Sequence, residues 1–576
     1  MLKLITLVAA LTLVLMQSSF AKEAIDPSPF GICALGIMHG GTKQPFPWTS
    51  QEANVRRLKD AGIYWDRLEI WWGAVEPQKG QFEWAFPDQV AQFYREQKLN
   101  GMVILCYSSA WYRKPPDTPE ERAAYANYVY QMVNRYKDTF KVWEIWNEPN
   151  IESFWKPSNV RDYTLMLIEA YKAAKKADPD CIILGGAVNG PGYDFVQGIY
   201  DNGGWDYCDA ISIHPYSLGG PPLSQRLDRW LRFQNSEIAK TGKPKPVWVS
   251  ECGYASVKPE EEPGQATAIV QAYLIALANG VQKYFYFNYG NYSNWGLIRT
   301  NDPWTPKVSY GAYKLMTQAL GSPGPCAEFE GYLDLPRNVA GYVFRKAGGD
   351  RVVFLWSNDD QVHSTQLRQA VGLKAVDIAG KPVSIDNGAL SVGPLPIIVT
   401  GVDSRKIGPV GKQFNPYLEA KGQNLLLNPS FESGGDHADY WNIGRFYSRD
   451  KDGTFAWTND GRDGSKCISV SQSGDVCACD SYPVPAAPGQ KYRLTGWIKT
   501  KDATGANVIG IFWYNGNQWH IVPPTIKTPT ITGTNDWREF TIEGTAPKGT
   551  SQVRVNLTSE NNKGTVWFDD MKLEQE

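Results

Sequence analysis

Between Phe30 and Gly321 the chain alternates two textures. Short apolar runs come first: "FGICALGI", "YWDRLEIWW", "GMVILCYSS", "KVWEIWNE", "CIILGGAV", "CDAISIHPY", "PVWVSECGY" and "KYFYFNYG". Such runs suit strands buried on both faces. After each comes a longer segment, most with apolar residues at helical spacing, such as "QEANVRRLKDAG" and "EERAAYANYVYQMVNRYKD". In the first of these, Thr49 with Glu52 reads as a capping box, and Gly62 sits where a left-handed C-terminal residue belongs. Eight such units predict an α/β fold, a closed (β/α)8 TIM barrel. The competing doubly wound sheet expects a glycine-rich phosphate loop after its first strand, and none stands there.

Helical spacing stops at "GSPGPC", Gly321 to Cys326. Short alternating runs ("GYVFRKA", "RVVFLWSN", "LPIIVTG") then predict a small β-sandwich over 325–402, which leaves 25–322 to the barrel. Residues 403–422, "DSRKIGPVGKQFNPYLEAKG", read as a Pro/Gly/charged linker. A second all-β unit over 423–576 opens with "NLLLNPSFESGG" and closes with "TVWFDDMKLEQE". Ahead of the barrel, Lys3, the apolar run from Leu4 to Met16 and Ser19-Phe20-Ala21 read as a signal peptide over 1–21. The expectation is an exported protein, secreted or periplasmic, with no membrane attachment once the leader is removed.

Composition changes this picture in three places. A formal charge of −2 over 576 residues offers no basic footprint, which argues against nucleic acid as a partner. The 22 Trp and 30 Tyr fill cores and also supply flat rings on which sugar C–H faces stack. Nine cysteines cannot all pair within one chain. Cys33, Cys106, Cys181, Cys208 and Cys252 fall in or beside apolar strands and read as small buried hydrophobes, whereas Cys467, Cys477 and Cys479 lie close enough for one disulfide. "CAC" lacks the spacing of a zinc site, so no catalytic metal is expected.

In a (β/α)8 barrel, catalytic residues sit at the C-terminal ends of strands. Two glutamates take that place: Glu148 ends the fourth strand, and Glu251 ends the seventh. By two-residue alternation Val247, Val249 and Glu251 share a face, with the valines packing the barrel and the glutamate at its rim. The same parity aligns Glu144 with Glu148, which implies a buried carboxylate or a bulge near Asn147, and Arg67 is the candidate partner of Glu144. Two carboxylates across a barrel mouth suit glycosidic bond cleavage: one protonates the departing oxygen, and the other attacks the anomeric carbon or activates water. A separation of about 5–5.5 Å gives retention, and ~6.5–9.5 Å gives inversion.

"WEIWNEPN" followed by "SFW", then "ISIHPYS", then "VWVSECGY", resembles clan A of the glycoside hydrolases, with the nearest likeness to family 39, over Phe30 to Gly321. The resemblance implies a retaining β-glycosidase. It makes Glu148 the general acid/base, Glu251 the nucleophile and Asn147 the ligand of the sugar 2-hydroxyl. It has His214 and Tyr216 orient Glu251 or line the subsite, places His39 against the glycon sugar, and matches Arg67 to the clan's second-strand arginine. Pro149 is expected to hold Glu148 extended. Trp111 and Trp155, in loops after the third and fourth strands, are expected sugar platforms. Relatives carry a tryptophan at the end of the eighth strand; Tyr286 is the expected substitute here, with Trp295 the alternative.

The C-terminal unit resembles jelly-roll carbohydrate-binding modules. That likeness implies glycan stacking by Trp513, Tyr514 and Trp519 and a structural calcium near Glu432 and Asp570, with no cofactor for catalysis. The expected activity is endo-cleavage of a polysaccharide. An exo-acting β-xylosidase-type enzyme and a non-catalytic carbohydrate-binding protein are the alternatives.

Overall fold

The computed structural model describes residues 26–576 except 40–47, 191, 217–222, 291–293, 300–304, 337–338, 358–360, 409, 412–423, 427, 433–437, 439, 444–453, 464, 474–475, 516–520 and 551. The expected signal peptide therefore lies outside the described residues. Among the described residues no helix is long and apolar enough to cross a membrane.

Eight parallel strands close into a barrel: β1 (Phe30–His39), β2 (Trp65–Trp71), β3 (Asn100–Cys106), β4 (Val142–Ile145), β5 (Ile182–Asn189), β6 (Ala210–His214), β7 (Val247–Cys252) and β8 (Lys283–Tyr286), with β8 pairing back to β1. The main helices between and after them are α1 (Trp48–Asp60), α2 (Ala85–Gln97), α3 (Pro119–Tyr136), α4 (Val160–Ala177), α5 (Tyr193–Asp201), α6 (Leu223–Lys240), α7 (Glu262–Ala278) and α8 (Val308–Leu320). The capping box is on α3, where Thr118 and Glu121 bond reciprocally; α1 begins at Trp48, so Thr49 lies inside its first turn. Gly62 does take the left-handed conformation after α1, with φ +76°.

Alternation along the strands sorts side chains into two cores. Cys33, Trp65, Met102, Val142, Leu184, Ala210, Trp248 and Phe285, one from each strand, fill the barrel interior. Their neighbours face the helices, Val247 and Val249 among them. This corrects the expectation for β7, in which the interior residue is Trp248 rather than the two valines. Register against β8 slips between Val249 and Cys252. That irregularity, not simple parity, brings Glu251 round to the mouth.

A β-sandwich follows α8. Its seven-stranded sheet runs from β9 (Glu328–Leu333) through β17 (Val410–Gly411), with a separate two-stranded sheet of β12 (His363–Gln366) and β15 (Ala389–Val392). Because β17 pairs with β9, residues 410–411 belong to this sheet and not to a linker. Tyr332, Tyr342, Phe344, Phe354 and Trp356 extend the barrel's outer core without a break, so barrel and sandwich share apolar burial.

The C-terminal module packs two five-membered strand paths face to face: β18 (Trp441–Ile443), β21 (Val476–Ser481), β27 (Gln552–Glu560), β24 (Ala506–Tyr514) and β25 (Ile521–Lys527) in one, and β19 (Thr454–Thr458), β20 (Cys467–Ser471), β28 (Thr565–Gln575), β23 (Lys491–Ala503) and β26 (Gly533–Thr545) in the other. Cys467 lies on β20 (Cys467–Ser471) in one sheet, and Cys477 and Cys479 lie on β21 (Val476–Ser481) in the other. All nine cysteines are free, so the expected disulfide does not form. Burial pushes the thiols of Cys33, Cys106 and Cys479 far above their ordinary range, which suits inert packing residues.

Candidate active site

Beneath the mouth of the barrel Arg67 is fully buried and joins three strand ends. Its Nε donates to Glu144 Oε2 at 2.8 Å, Nη2 donates to Asn147 Oδ1 at 2.9 Å, and Nη1 donates to Glu251 Oε2. Burial works against the guanidinium charge, but Glu144 and Glu251 outweigh it and hold its pKa well above the usual value. Glu144 is the mirror case: burial would raise its carboxyl, yet Arg67 and His214 hold it below its ordinary value. The expected buried carboxylate at position 144 and its Arg67 partner are thus both present.

β4 ends at Ile145, three residues before Glu148. The chain then turns through two non-glycine residues with positive φ, Trp146 at +70° and Glu148 at +46°. Glu148 is therefore left-handed, not extended as expected from Pro149. Proline disfavours only the right-handed helical region before it. Here the Glu148 N–H is drawn 2.9 Å to Ala187 O, across a register slip in β5 between Gly185 and Val188. Gly186 makes that slip possible: its φ is +106°, and a Cβ there would lie 2.8 Å from Ser212 O. A non-glycine residue at positive φ stores roughly 1–3 kcal/mol of strain, a usual mark of functional sites.

The turned backbone sets Glu148 Oε1 within 2.9 Å of both Asn189 Nδ2 and His214 Nδ1. On the far side of the ring, His214 Nε2 meets Ser250 Oγ at 3.0 Å and Arg67 Nη2 at 3.3 Å. A guanidinium can only donate, so Nε2 accepts and the ring hydrogen sits on Nδ1, aimed at Glu148. His214 therefore orients Glu148 rather than Glu251. Tyr216 serves Glu251 instead, its hydroxyl donating to Oε1 at 2.8 Å. Burial and the Glu251 charge hold that phenol far above its ordinary pKa, so it stays a donor.

Glu148, His214 and Glu251 each place a ligand atom within 4.8 Å of the other two. That spacing could also hold a metal ion, but Arg67 already reaches both Glu251 and His214, and a divalent cation there would have to displace or abut its charge.

The aromatic residues separate into mouth and core. Trp295 stands beside Tyr216, ring centroids 5.2 Å apart, with Phe287 6.3 Å from both. Tyr286 does not reach the mouth. It shares the outward parity of Tyr284, is fully buried, and donates its hydroxyl to Trp295 O at 2.7 Å and Tyr254 O at 3.1 Å. Trp155 is likewise a core residue, wedged edge-on between Trp146 and Tyr163. Trp111 is half-buried, its Nε1 bonded to Glu76 O and its ring against Trp72 and Tyr112. The side chain of His39 lies outside the described residues.

Sequence reading missed Glu69, Asn189 and Ser250. Glu69 is two residues beyond Arg67 on the inward face of β2 and accepts from Trp71 Nε1 at 2.8 Å. Burial pushes its carboxyl up, partly opposed by the Trp71 hydrogen bond and Arg67. Beside it Tyr107 meets Trp71 edge-on and stacks on Phe154 at 5.7 Å, giving a half-buried aromatic wall. Parity from Arg67 alone could have found Glu69; Asn189 depends on the slip in β5, which no residue spacing announces.

In the module, Trp513 packs against Tyr492 in the core and so is no platform, while Trp519 lies outside the described residues. Tyr514 belongs to the opposite face of its sheet, with Gln552, Arg554, Asn556 and Asp480. Its hydroxyl meets Asp480 Oδ2 at 3.3 Å, Asn556 Nδ2 donates to Asp480 Oδ1 at 2.7 Å, and Arg554 lies over the Tyr514 ring. These residues form a polar cluster that is buried in the structure, so Tyr514 is not an exposed platform among the described residues. At the expected calcium position Glu432 takes the Lys466 N–H, and Asp570 pairs with Arg462.

Residues 67–185 match the glycosyl hydrolase family 10 model, and residues 432–573 match the CBM_4_9_1 model, BppA domain 1. Each match spans less than half the chain. Over 121 residues the chain is 31% identical to endo-1,4-beta-xylanase A of Phanerodontia chrysosporium, covering 19% of this chain and 29% of that one. Over 139 residues it is 29% identical to a beta-xylosidase of Geobacillus stearothermophilus, covering 22% and 27%. The chain thus spans less than a third of the length of these curated relatives. A family 39 glycoside hydrolase structure from Bacteroides cellulosilyticus WH2 superposes with a TM-score of 0.54 at 23% identity, covering 66% of this chain and 81% of that one. That likeness is one of fold.

Proposed function

We propose that the protein is a retaining β-glycosidase, with Glu148 as general acid/base and Glu251 as nucleophile. The observation that carries this reading is the pair of carboxylates at the barrel mouth, with oxygens within 4.8 Å of each other and held by different partners. A gap this short favours direct attack over an interposed water. Glu148, aimed by the His214 and Asn189 hydrogen bonds, protonates the departing glycosidic oxygen while Glu251 attacks the anomeric carbon. Arg67 and Tyr216 keep Glu251 in one orientation. In the second step Glu148 takes a proton from water, which opens the glycosyl–Glu251 ester and regenerates both groups.

The substrate we assign is a β-linked polysaccharide of the xylan type. The matched relatives are named xylanases and a β-xylosidase, and a half-buried aromatic wall of Trp71, Tyr107 and Phe154 flanks the carboxylates. Endo-action fits a chain whose residues 432–573 match the model of a carbohydrate-binding module, and export fits an insoluble substrate. We assign no calcium to catalysis.

The test is product analysis on xylan and other β-linked polysaccharides beside a Glu251→Ala control. Oligosaccharides of β configuration at first release, from the wild type alone, are the expected result; α products would mean inversion. Azide rescue then separates the roles. Glu251→Ala should yield the α-glycosyl azide and Glu148→Ala the β-glycosyl azide, and a folded Glu251→Ala protein with full activity would remove the assignment.

A further inference from the structure

Glu69 stands one inward step above Arg67 on β2, at the mouth of the barrel, and takes no part in the proposed mechanism. Its hydrogen-bonding neighbours are neutral: Trp71 Nε1 donates to Oε2 at 2.8 Å, and the Tyr107 hydroxyl is close enough to favour the carboxylate. Among the described residues no cation pairs with it. Arg67, the cation acting on it through space, is already bonded to Glu144 and Glu251. Unlike the fully buried Glu144, Glu69 is only half-buried, so a ligand entering the mouth can reach it. A carboxylate has about four acceptor sites, so acceptor capacity remains there.

Two kinds of neighbour define what that carboxyl can meet. Trp71, Tyr107 and Phe154 are half-buried rings beside it, with Tyr107 5.5 Å from Trp71 and 5.7 Å from Phe154 between centroids. Partly open rings take the C–H face of a sugar, and the carboxyl accepts from hydroxyls on the sugar's edge. The second neighbour is charge. Glu69, Glu144 and Glu251 all lean on the single guanidinium of Arg67. Burial first, and the Glu251 charge to a smaller degree, push the Glu69 carboxyl up. A further anion would push in the same direction, since like charges in a half-buried place repel.

We propose that Glu69 is a specificity-determining residue of this mouth, which accepts the hydroxyls of a neutral sugar laid against the Trp71–Tyr107 wall and excludes a sugar that carries a carboxylate there. The inference rests on the glycosidase reading for the presence of a sugar at the mouth, and on Glu69 itself for the choice between sugars. It narrows the substrate to a β-linked chain whose unit at this place is uncharged. A uronate in that unit would bring a second anion against Glu69 with Arg67 already spent, and the chain would not seat.

The test titrates full-length Glu251→Ala protein by calorimetry at about pH 8, where carboxyl groups are ionised. The ligands are cellobiose, its analogue with both hydroxymethyl groups oxidised to carboxylates, and the dimethyl ester of that analogue, which keeps the shape and removes the charge. Whichever unit meets Glu69, the diuronate brings an anion to it. The two neutral ligands should bind alike, and the diuronate should bind more weakly than its ester by about tenfold or more. Glu69→Gln in the same protein keeps the hydrogen bonding and removes the charge, and should narrow that gap to within about threefold. Glu69→Ala is the second variant, should Glu69→Gln misfold; it should narrow the gap too and also weaken cellobiose. Equal binding of diuronate and ester by the Glu251→Ala protein, or a gap that both substitutions leave intact, would overturn the proposal. No step of this test needs turnover, so selective binding by a chain that cleaves no β-linked polysaccharide would remove the glycosidase reading and keep this one.

Discussion

His214 presents its Nδ1 hydrogen to Glu148 Oε1 across 2.9 Å, and it is held in that tautomer from behind by Arg67 and Ser250. The fully buried ring touches neither solvent nor the mouth directly, so it acts through Glu148. On the proposed mechanism, His214→Phe should lower kcat about 10²-fold on substrates with poor leaving groups. Substrates with activated aryl leaving groups, which need little protonation, should lose far less. Steady-state kinetics on a leaving-group series reads the difference, and an equal loss across the series would show that the ring is merely structural.

Arg67 and Glu144 are a buried pair, 2.7 Å apart at Nη2 and Oε2. Removing one partner of such a pair strands the other charge and costs about 3–5 kcal/mol. Glu144→Leu should therefore lower stability by that order in denaturant titration and also reduce turnover, since Arg67 would no longer be anchored where it meets Glu251. The pH dependence has a definite sign. Glu144 is held below its ordinary value, so its contribution is complete above about pH 4.3, the unfolded carboxyl value, and is lost as pH falls through the lower folded value. The wild-type advantage over Glu144→Leu should shrink only in acid.

Trp295 and Tyr286 separate binding from packing. Trp295 is beside Tyr216 at the mouth, whereas the Tyr286 hydroxyl is spent on two backbone carbonyls. Trp295→Ala is expected to cost one to two orders of magnitude in kcat/KM, about 1.4–2.8 kcal/mol in transition-state stabilisation. Tyr286→Phe should instead cost roughly 1 kcal/mol of stability, with kcat/KM unchanged. Paired kinetics and thermal unfolding on the two variants would reveal a reversed pattern if the eighth strand were rotated by one residue.

The barrel was legible because eight apolar runs alternate with helical spacing, and that period survives any local irregularity. Glu148 and Glu251 were legible as strand-end carboxylates, but the reason they reach the mouth was not. Parity put Val247 and Val249 inside, and the structure puts Trp248 there, because a register slip near Glu251 breaks the two-residue rule. The left-handed Glu148 was equally hidden, since it follows from Gly186 letting β5 slip against β6. The buried aromatics misled for a different reason: composition cannot tell the core ring of Trp155 or Trp513 from a ring that faces sugar. Tyr286 failed by one position of strand parity. The linker reading broke at β17, where two residues are enough to add an edge strand.

Lys283 closes the opposite end of the barrel. Its amine donates to Asp26 O at 2.8 Å and Ser28 O at 2.7 Å, and it lies 4.2 Å from the Trp65 ring centroid. Burial presses its pKa down to about 7, with the Asp26 charge opposing. An unfolded lysine titrates near ~10.4. Between those values the unfolded chain holds a proton that the folded chain has released, so the lysine's contribution to stability rises with pH across that window and is flat below about 7. Lys283→Met keeps the stem and removes the titration. The difference in unfolding midpoint between wild type and Lys283→Met should therefore move in favour of wild type as pH is raised from about 7 to about 9.5. A difference that stayed constant over that range would mean that the two carbonyls and the Trp65 ring hold the ammonium charged throughout.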